Sequence, residues 1–303
     1  MRRTLLLIAV LLTGLAMSAQ SLFVGTYNIR YHNDGDDRAG NVWAKRCQVI
    51  TDQINFEDPD IFGAQEVLVA QLHDLLGRLD GYGYIGVGRD DGKEAGEYAA
   101  IFYKKDRVEK LRDGHFWLNE TPDKPALGWD AACIRICTWG EFKLKESGMK
   151  LYYFNLHMDH VGIVARREAA KLVVRRIREI AKGAPVVLTG DFNVDQTNEI
   201  YGIFTNSGIL KDSYECARIR LAENGTFNDF CPENTSTSRI DHVFVSPSLT
   251  VDRYAILDNM YWTADPTASD SHNSNQAPGE VAFTKGVLRT ASDHYPVLVK
   301  LHK

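Results

Sequence analysis

Lys150 to Asn193 reads KLYYFNLHMDHVGIVARREAAKLVVRRIREIAKGAPVVLTGDFN, a strand, a helix and a strand in turn. KLYYFNLHM is a short bulky run that ends near His157, the pattern of a buried strand. From Val164 to Lys182 the period changes. Ala165, Ala169, Leu172, Val173, Ile177 and Ile180 form an apolar helical stripe, and the basic residues between them are its solvated face. APVVLTGDFN is a second apolar run, and it opens onto Asp191 and Asn193. Both strands therefore end in polar side chains. A buried strand has no use for an unpaired carboxylate or imidazole, so such ends are either solvated turns or parts of a converged site.

The rest of the chain repeats this arrangement. SLFVGTYNIRY starts as a β-type segment that ends at Asn28. Trp43, Cys47, Ile50 and Ile54 predict a helix from about Trp43 to Phe56, and a short strand from Asp60 delivers Gln65 and Glu66. VLVAQLHDLLGRL predicts another helix, and YGYIGVG, EYAAIFYK, HFWL, AACIRICTWGEF, IDHVFVS and YPVLVKL read as strands. Asn28, Glu66, His157, Asp191, Asn193, Asp241, Asp293 and His294 all fall at or beside ends of β-type segments, where one edge of a layered α/β structure can gather them.

Composition agrees with one well-packed domain. The 303 residues are 44% hydrophobic and 25% charged, with nine Pro and 24 Gly scattered and no linker-like tract, which excludes disordered, collagenous and membrane-embedded classes. Arg2 and Arg3, the apolar run Leu5 to Met17, then Ser18 and Ala19 follow the order of a secretory signal peptide over 1–19, leaving a single domain over 20–303. The apolar stretch is shorter than the roughly 20 residues a membrane span needs. Its removal takes two basic residues and no acidic one, moving the net charge from −5 to −7. An exported protein, periplasmic or extracellular, is expected, with no stable membrane span after processing and a monomeric state. The acidic balance argues against blanketing a long polyanion. It leaves phosphate substrates open, because a divalent cation reverses the local charge. Cys133 and Cys137, four apart in AACIRICTW, are expected on one face of a strand; a loop-closing pair of Cys216 and Cys231 stays open.

In Gly190-Asp191-Phe192-Asn193, an extended backbone projects Asp191 and Asn193 to one side and Phe192 into the packing. Asp191 can then orient a water or assist proton transfer, and Asn193 can donate to a phosphoryl oxygen; an Asx turn is the plainer alternative. Glu66 is a hard oxygen ligand suited to Mg²⁺ or Mn²⁺, and Asn28 can add a carbonyl or position a ligand. Neighbours on a strand point apart, so His294 is expected to meet Asp241 while Asp293 turns toward the metal. His157 is a further phosphate contact. His160 and His242 are expected as hydrogen-bonded structural histidines.

TYNIRY around Asn28, AQE at Glu66, NLHMDH around His157, GDFN at Asp191 and Asn193, RIDHVF around Asp241, and SDHYPV at Asp293 and His294 together resemble the endonuclease/exonuclease/phosphatase (DNase I-like) superfamily, in the same chain order. EYAAIFY, RICTW and GTFNDF further resemble its secreted bacterial members. The resemblance implies a four-layer α/β sandwich, two mixed β-sheets packed face to face with helices on both outer sides, and divalent-cation-dependent attack of water on a phosphoester. It implies Glu66 as principal metal ligand with Asn28 and Asp293 assisting. It further implies Asp191 orienting the water, Asn193 and His157 on the phosphate, and His294 paired with Asp241 against the developing charge.

A small-molecule, nucleotide or lipid-headgroup phosphoester, diester or monoester, is the expected substrate. A secreted DNA or RNA nuclease is less favoured by the charge, and a non-catalytic ligand-binding protein on the same fold is the third reading. Without a G-x-S-x-G elbow, a serine hydrolase is disfavoured. Candidates for the substrate-binding wall are His32, Trp43, Glu97, Tyr98, Arg135, Trp139, Asn228 and Tyr261, which neighbour the motif segments or polar bends. The polar segment from Thr267 to Glu280 is expected as a loop at the rim.

Overall fold

The computed structural model describes residues 21–265, 267–268 and 278–303. The signal segment expected over 1–19 lies outside these residues, as does most of the expected rim loop. Among the described residues no helix is long and apolar enough to cross a membrane.

In chain order the elements are β1 (Leu22–Asn28), α1 (Asp34–Arg38), α2 (Trp43–Glu57), β2 (Ile61–Val67), α3 (Val69–Leu76), β3 (Tyr82–Ile85), β4 (Tyr98–Lys104), β5 (Val108–Trp117), β6 (Ile136–Leu144) and β7 (Lys150–His157). There follow α4 (Ile163–Ala181), β8 (Val186–Asp191), α5 (Glu199–Thr205), β9 (Lys211–Asp212), α6 (Ser213–Cys216), β10 (Ile219–Leu221), β11 (Asp241–Val245), β12 (Thr250–Ile256), β13 (Met260–Ala264), β14 (Gly286–Thr290) and β15 (Val297–His302). One sheet has seven strands in the order β10-β12-β15-β1-β2-β4-β3, the other six in the order β5-β6-β7-β8-β11-β9; β13 and β14 form a separate hairpin.

Strand alternation builds the layers. In β7 Leu151 and Tyr153 face the other sheet, joining Val24, Ile61, Ile101, Val187, Val243 and Val299 in the core between the sheets. Tyr152, Phe154 and Leu156 point the other way, onto Leu172, Val173 and Ile177 of α4. On the far side Tyr27, Phe62, Ala64 and Phe102 pack against Ile50 and Ile54 of α2 and Leu72 and Leu75 of α3. The result is an α/β sandwich of two mixed sheets with helices outside. Because these strands are covered on both faces, their sequences are nearly continuous apolar runs.

The inter-sheet core turns polar near one end. Gln65 Nε2 donates to Asn155 Oδ1 at 2.6 Å, and Asn155 Nδ2 donates to the carbonyls of Ala64 and Ala100. Thr189 Oγ1 lies 3.1 Å from the same Asn155 oxygen. Gly63 faces this cluster closely enough that a Cβ there would sit 2.3 Å from Asn155 Oδ1.

Local differences from the sequence reading have local causes. HFWL is only the end of β5, whose earlier residues alternate less clearly because much of the strand is exposed. Cys133 and Cys137 do not share a strand face: β6 starts at Ile136, so Cys137 is buried in the core and Cys133 lies half-buried in the preceding turn. Cys216 and Cys231 are free thiols.

Candidate active site

Register brings the polar strand ends together. Parallel β1 and β2 pair Asn28 with Gln65, next to Glu66. Parallel β7 and β8 pair His157 with Asp191, and antiparallel β11 pairs Asp241 with Asp191 from the other side. The turn before β15 adds Asp293 and His294.

Asn28 is fully buried, and its Nδ2 donates to Glu66 Oε1 at 3.0 Å and Asp191 Oδ2 at 3.1 Å. Glu66 Oε2 accepts the Tyr31 N–H at 3.1 Å. Asp191 Oδ1 accepts the Asn193 N–H at 2.9 Å, while Oδ2 stands 3.4 Å from His157 Nε2 and 3.7 Å from His294 Nε2. Asn193 Nδ2 donates to the Met158 carbonyl at 3.0 Å and lies 3.2 Å from His157 Nε2. His294 Nδ1 donates to Asp241 Oδ2 at 2.9 Å. Asp293 Oδ2 is 3.6 Å from Arg30 Nη1.

These groups open on a cleft of about 690 Å³ lined by Glu66, Glu97, Arg135, His157, Asp191, Asn193, Asp293 and His294, and also by Arg30, Arg89, Phe227, Asp229 and Phe230. That volume suits a small ligand. Backbone strain concentrates here. Arg30, Glu66, Asn193, Asp229 and Phe230 all have φ between 50° and 61°, a region L-residues seldom occupy. At Glu66 the strain accompanies a register shift between β2 and β4, which re-aims the carboxylate at the strand end.

Burial and charge set the protonation states. Burial of the His294 ring disfavours its charge, but Asp241, through charge and hydrogen bond, and then Asp191 and Asp293 outweigh it, so its proton is held well above the usual histidine range. Burial and the Asp241 charge push Asp191 up to about 7, against the opposing pull of His294. Asp293 is raised by burial, with Glu66 adding to the effect. Burial holds His157 well below its ordinary value, and Arg135 and Arg89 lower it further. The centre thus pairs a protonated imidazole with a carboxyl able to take a proton near neutrality.

Asp191, Asp241 and His294 offer ligand atoms within 4.8 Å of one another, a spacing that can hold a metal ion. Glu66 and Asp293 both line the cleft and offer carboxylate oxygens to it, with the Asn28 amide donating to Glu66. Hard carboxylate oxygens fit a divalent cation of the Mg²⁺ type.

The candidate wall divides. Glu97 and Arg135 line the cleft. Tyr98 lies buried behind them, its hydroxyl on the Lys93 carbonyl. His32 sits outside, 2.9 Å from Asp37. Asn228 is buried and bonds the Ser292 carbonyl and Thr290, so it shapes the turn carrying Asp293. The structure does not bring Trp43, Trp139 or Tyr261 to the cleft. Trp43 is core between α2 and α3 with Nε1 on Asp74, Trp139 packs beside Tyr152 on the α4 side, and Tyr261 packs beside the α2–α3 core. Amphipathic rings serve a core as readily as a pocket. His242 is structural, 3.0 Å from the Val194 carbonyl. His160 is hydrogen-bonded as expected, to Arg135 Nη2 at 3.0 Å, but stands exposed in the cleft wall rather than in the interior.

Sequence reasoning missed several positioning groups. Arg46 is fully buried, donating to the carbonyls of Asn41, Ile29, Ala291 and Arg30, and so ties the end of β1 to the turn before Asp293. Its signal was an arginine sharing the helical face of Trp43, Cys47 and Ile50. Arg30, Arg89 and Phe230 carried no periodic signal.

The model of the "Endonuclease/Exonuclease/phosphatase family" matches residues 25–294. A crystal structure of a protein of that family from Bacteroides thetaiotaomicron is 47% identical, covering 93% of this chain and 98% of the other at a TM-score of 0.86. A mannosyl-6-phosphatase from Bacteroides thetaiotaomicron VPI-5482 is 46% identical, covering 93% and 100%, also at a TM-score of 0.86. An uncharacterised protein of Acanthamoeba polyphaga mimivirus is 29% identical over 161 residues, 50% of this chain and 60% of that relative.

Proposed function

Because the chain belongs to the endonuclease/exonuclease/phosphatase family, we propose that it is a divalent-metal-dependent phosphoesterase whose substrate is a small sugar phosphomonoester. The observation that carries the reaction class is the convergence of Glu66, Asp191, Asp241 and His294 from four separate segments at one cleft. The substrate class is supported by the likeness to a mannosyl-6-phosphatase over nearly the whole chain. The basic, apolar, small order of residues 2–19 favours action outside the cytoplasm.

Glu66 and Asp293, assisted by Asn28, would hold Mg²⁺ or Mn²⁺, which when bound supplies Lewis-acid polarisation of the phosphoryl group. Asn28 holds Glu66 and Asp191 in one arrangement through its Nδ2. Asp191 Oδ2, its proton affinity raised by burial, takes the proton from the attacking water. Asn193 is clamped by the Met158 carbonyl and, with His157, orients the phosphate. His294 Nε2 donates to the phosphoryl oxygen that gains charge, while Asp241 fixes the ring through Nδ1. Burial of Asp241 and His294 keeps water from weakening that pairing.

The test is hydrolysis by the purified chain of mannose 6-phosphate, p-nitrophenyl phosphate, bis(p-nitrophenyl) phosphate, nucleotides, lipid headgroups and DNA, each with Mg²⁺, Mn²⁺ or EDTA and beside Glu66→Ala. Metal-dependent release of phosphate from the sugar monoester, lost in the variant, is the expected result. DNA cleavage in preference to the monoesters would instead establish the nuclease reading, and a folded chain silent on all substrates would overturn the catalytic one.

A further inference from the structure

Past the reaction centre the cleft narrows against Arg89, Glu97, Arg135 and His157. Two of the guanidinium groups facing it are held by carboxylates, Arg30 by Asp36 at 2.9 Å and Arg89 Nη1 by Glu97 at 2.6 Å, although Arg89 Nε is itself buried without a partner. Arg135 differs. Its side chain is 5% exposed, its Nη2 donates to His160 Nδ1 at 3.0 Å, and its Nε is 3.5 Å from Asp159 Oδ2. Its Nη1 is buried and has no hydrogen-bond partner among the described residues. Asp159 can do little more for it, because that carboxylate already accepts the backbone N–H groups of Ala132, Cys133, Val161 and Gly162. A buried guanidinium N–H left unpaired is costly, so this donor is set for an anion entering the cleft.

We propose that Arg135 is the residue by which the cleft selects a phosphomonoester over a phosphodiester. The proposal rests on the phosphoesterase reading above and deepens it. A monoester dianion has three charged non-bridging oxygens, and a diester converts one of them into a second ester linkage. Arg135 Nη1 donates to that third oxygen in the monoester, a charge-assisted bond the diester cannot match. The diester also brings a carbon substituent toward the narrow end beside His157, where a cavity of about 10 Å³ has room for about one water. Asp159 acts as a positioning residue, because it ties the turn before Arg135 to the turn after His157.

Arg135→Gln removes the charge, and Arg135→Lys keeps it without the fork. Each is assayed against p-nitrophenyl phosphate and its methyl ester, two substrates that differ at that oxygen alone, and titrated with inorganic phosphate and dimethyl phosphate by calorimetry. The Gln variant is expected to lose about 30-fold in kcat/KM on the monoester and several-fold less on the diester, with phosphate binding weakened by a similar factor of about 30. The Lys variant falls between. Parallel losses on the two esters, or equal phosphate binding by the Gln variant and the unaltered chain, overturn the proposal. If the Gln variant does not fold, an unchanged monoester-to-diester ratio in the Lys variant overturns it as well. Absence of turnover by the unaltered chain sinks the phosphoesterase reading alone, since the phosphate titrations still decide the role of Arg135.

Discussion

Asp159 is 2% exposed, and its two oxygens accept four backbone N–H groups at 2.7 to 3.1 Å. Burial alone would push this carboxyl up, but those N–H groups outweigh it and bring it down from an ordinary value of 3.8 to about 2. A carboxyl depressed in the folded state contributes stability that is complete above its unfolded value and is lost as pH falls through the folded one. Linkage makes the contribution about 2.4 kcal/mol at pH 7 and about 1.3 kcal/mol at pH 3. Asp159→Asn removes the charge with little change of shape. The variant should therefore be less stable by at least about 2 kcal/mol at pH 7, and the gap should narrow by about 1.1 kcal/mol at pH 3. Any clash of the new amide with the N–H donors adds a pH-independent offset and leaves the narrowing intact. Urea unfolding of both proteins at pH 7, 5 and 3, with m-values compared, reads this directly. A gap that stays flat with pH, or that is under about 1 kcal/mol at neutrality, would refute the reasoning.

Three other perturbations test the site and its support. Glu66→Ala should lower phosphoester turnover by about 1000-fold or more with far-ultraviolet circular dichroism unchanged, and EDTA should do the same to the unaltered chain; residual turnover insensitive to both would contradict the assignment of Glu66. Asp241→Asn removes the charge 2.9 Å from His294 Nδ1 in a fully buried pair, so kcat should fall about 100- to 1000-fold while KM changes less than about threefold. A rise in KM at constant kcat would assign the pair to substrate binding instead. Gly63→Ala places a Cβ 2.3 Å from Asn155 Oδ1 and 2.6 Å from Thr189 Oγ1, and is expected to cost roughly 1–3 kcal/mol; an unchanged Tm would show that the inter-sheet polar cluster can give way.

Much of the fold was legible because the strands are covered on both faces. KLYYFNLHM and APVVLTGDFN read as buried strands, and they became β7 and β8 within two residues at each end. The α4 stripe lies in the core in all but Ile180, which is only partly buried. The strands β13, alternating exposed and half-exposed, and β14, half-exposed over four of its residues, gave a weaker pattern and were not read, although the segment between them was expected as a loop. At the site, the polar types at strand ends were visible, and the structure brings Asn28, Glu66, His157, Asp191, Asn193, Asp241, Asp293 and His294 within one network or its cleft.

The wall was less legible than the centre. Glu97 and Arg135 reach the cleft while Trp43 and Trp139 do not, although all four stand near motif segments. Nothing in the spacing of Asp159 announced that it would collect four N–H groups from two turns. Periodicity reports which face of one segment is apolar, and that is a local property of the chain. Strand type, the α4 stripe and the chemistry available at each strand end are therefore written in the sequence. The pairing of Asp241 with Asp191, the burial that raises one carboxyl and the N–H groups that lower another depend on register and desolvation between segments tens of residues apart. Those arise only when the two sheets pack and water leaves the groups between them.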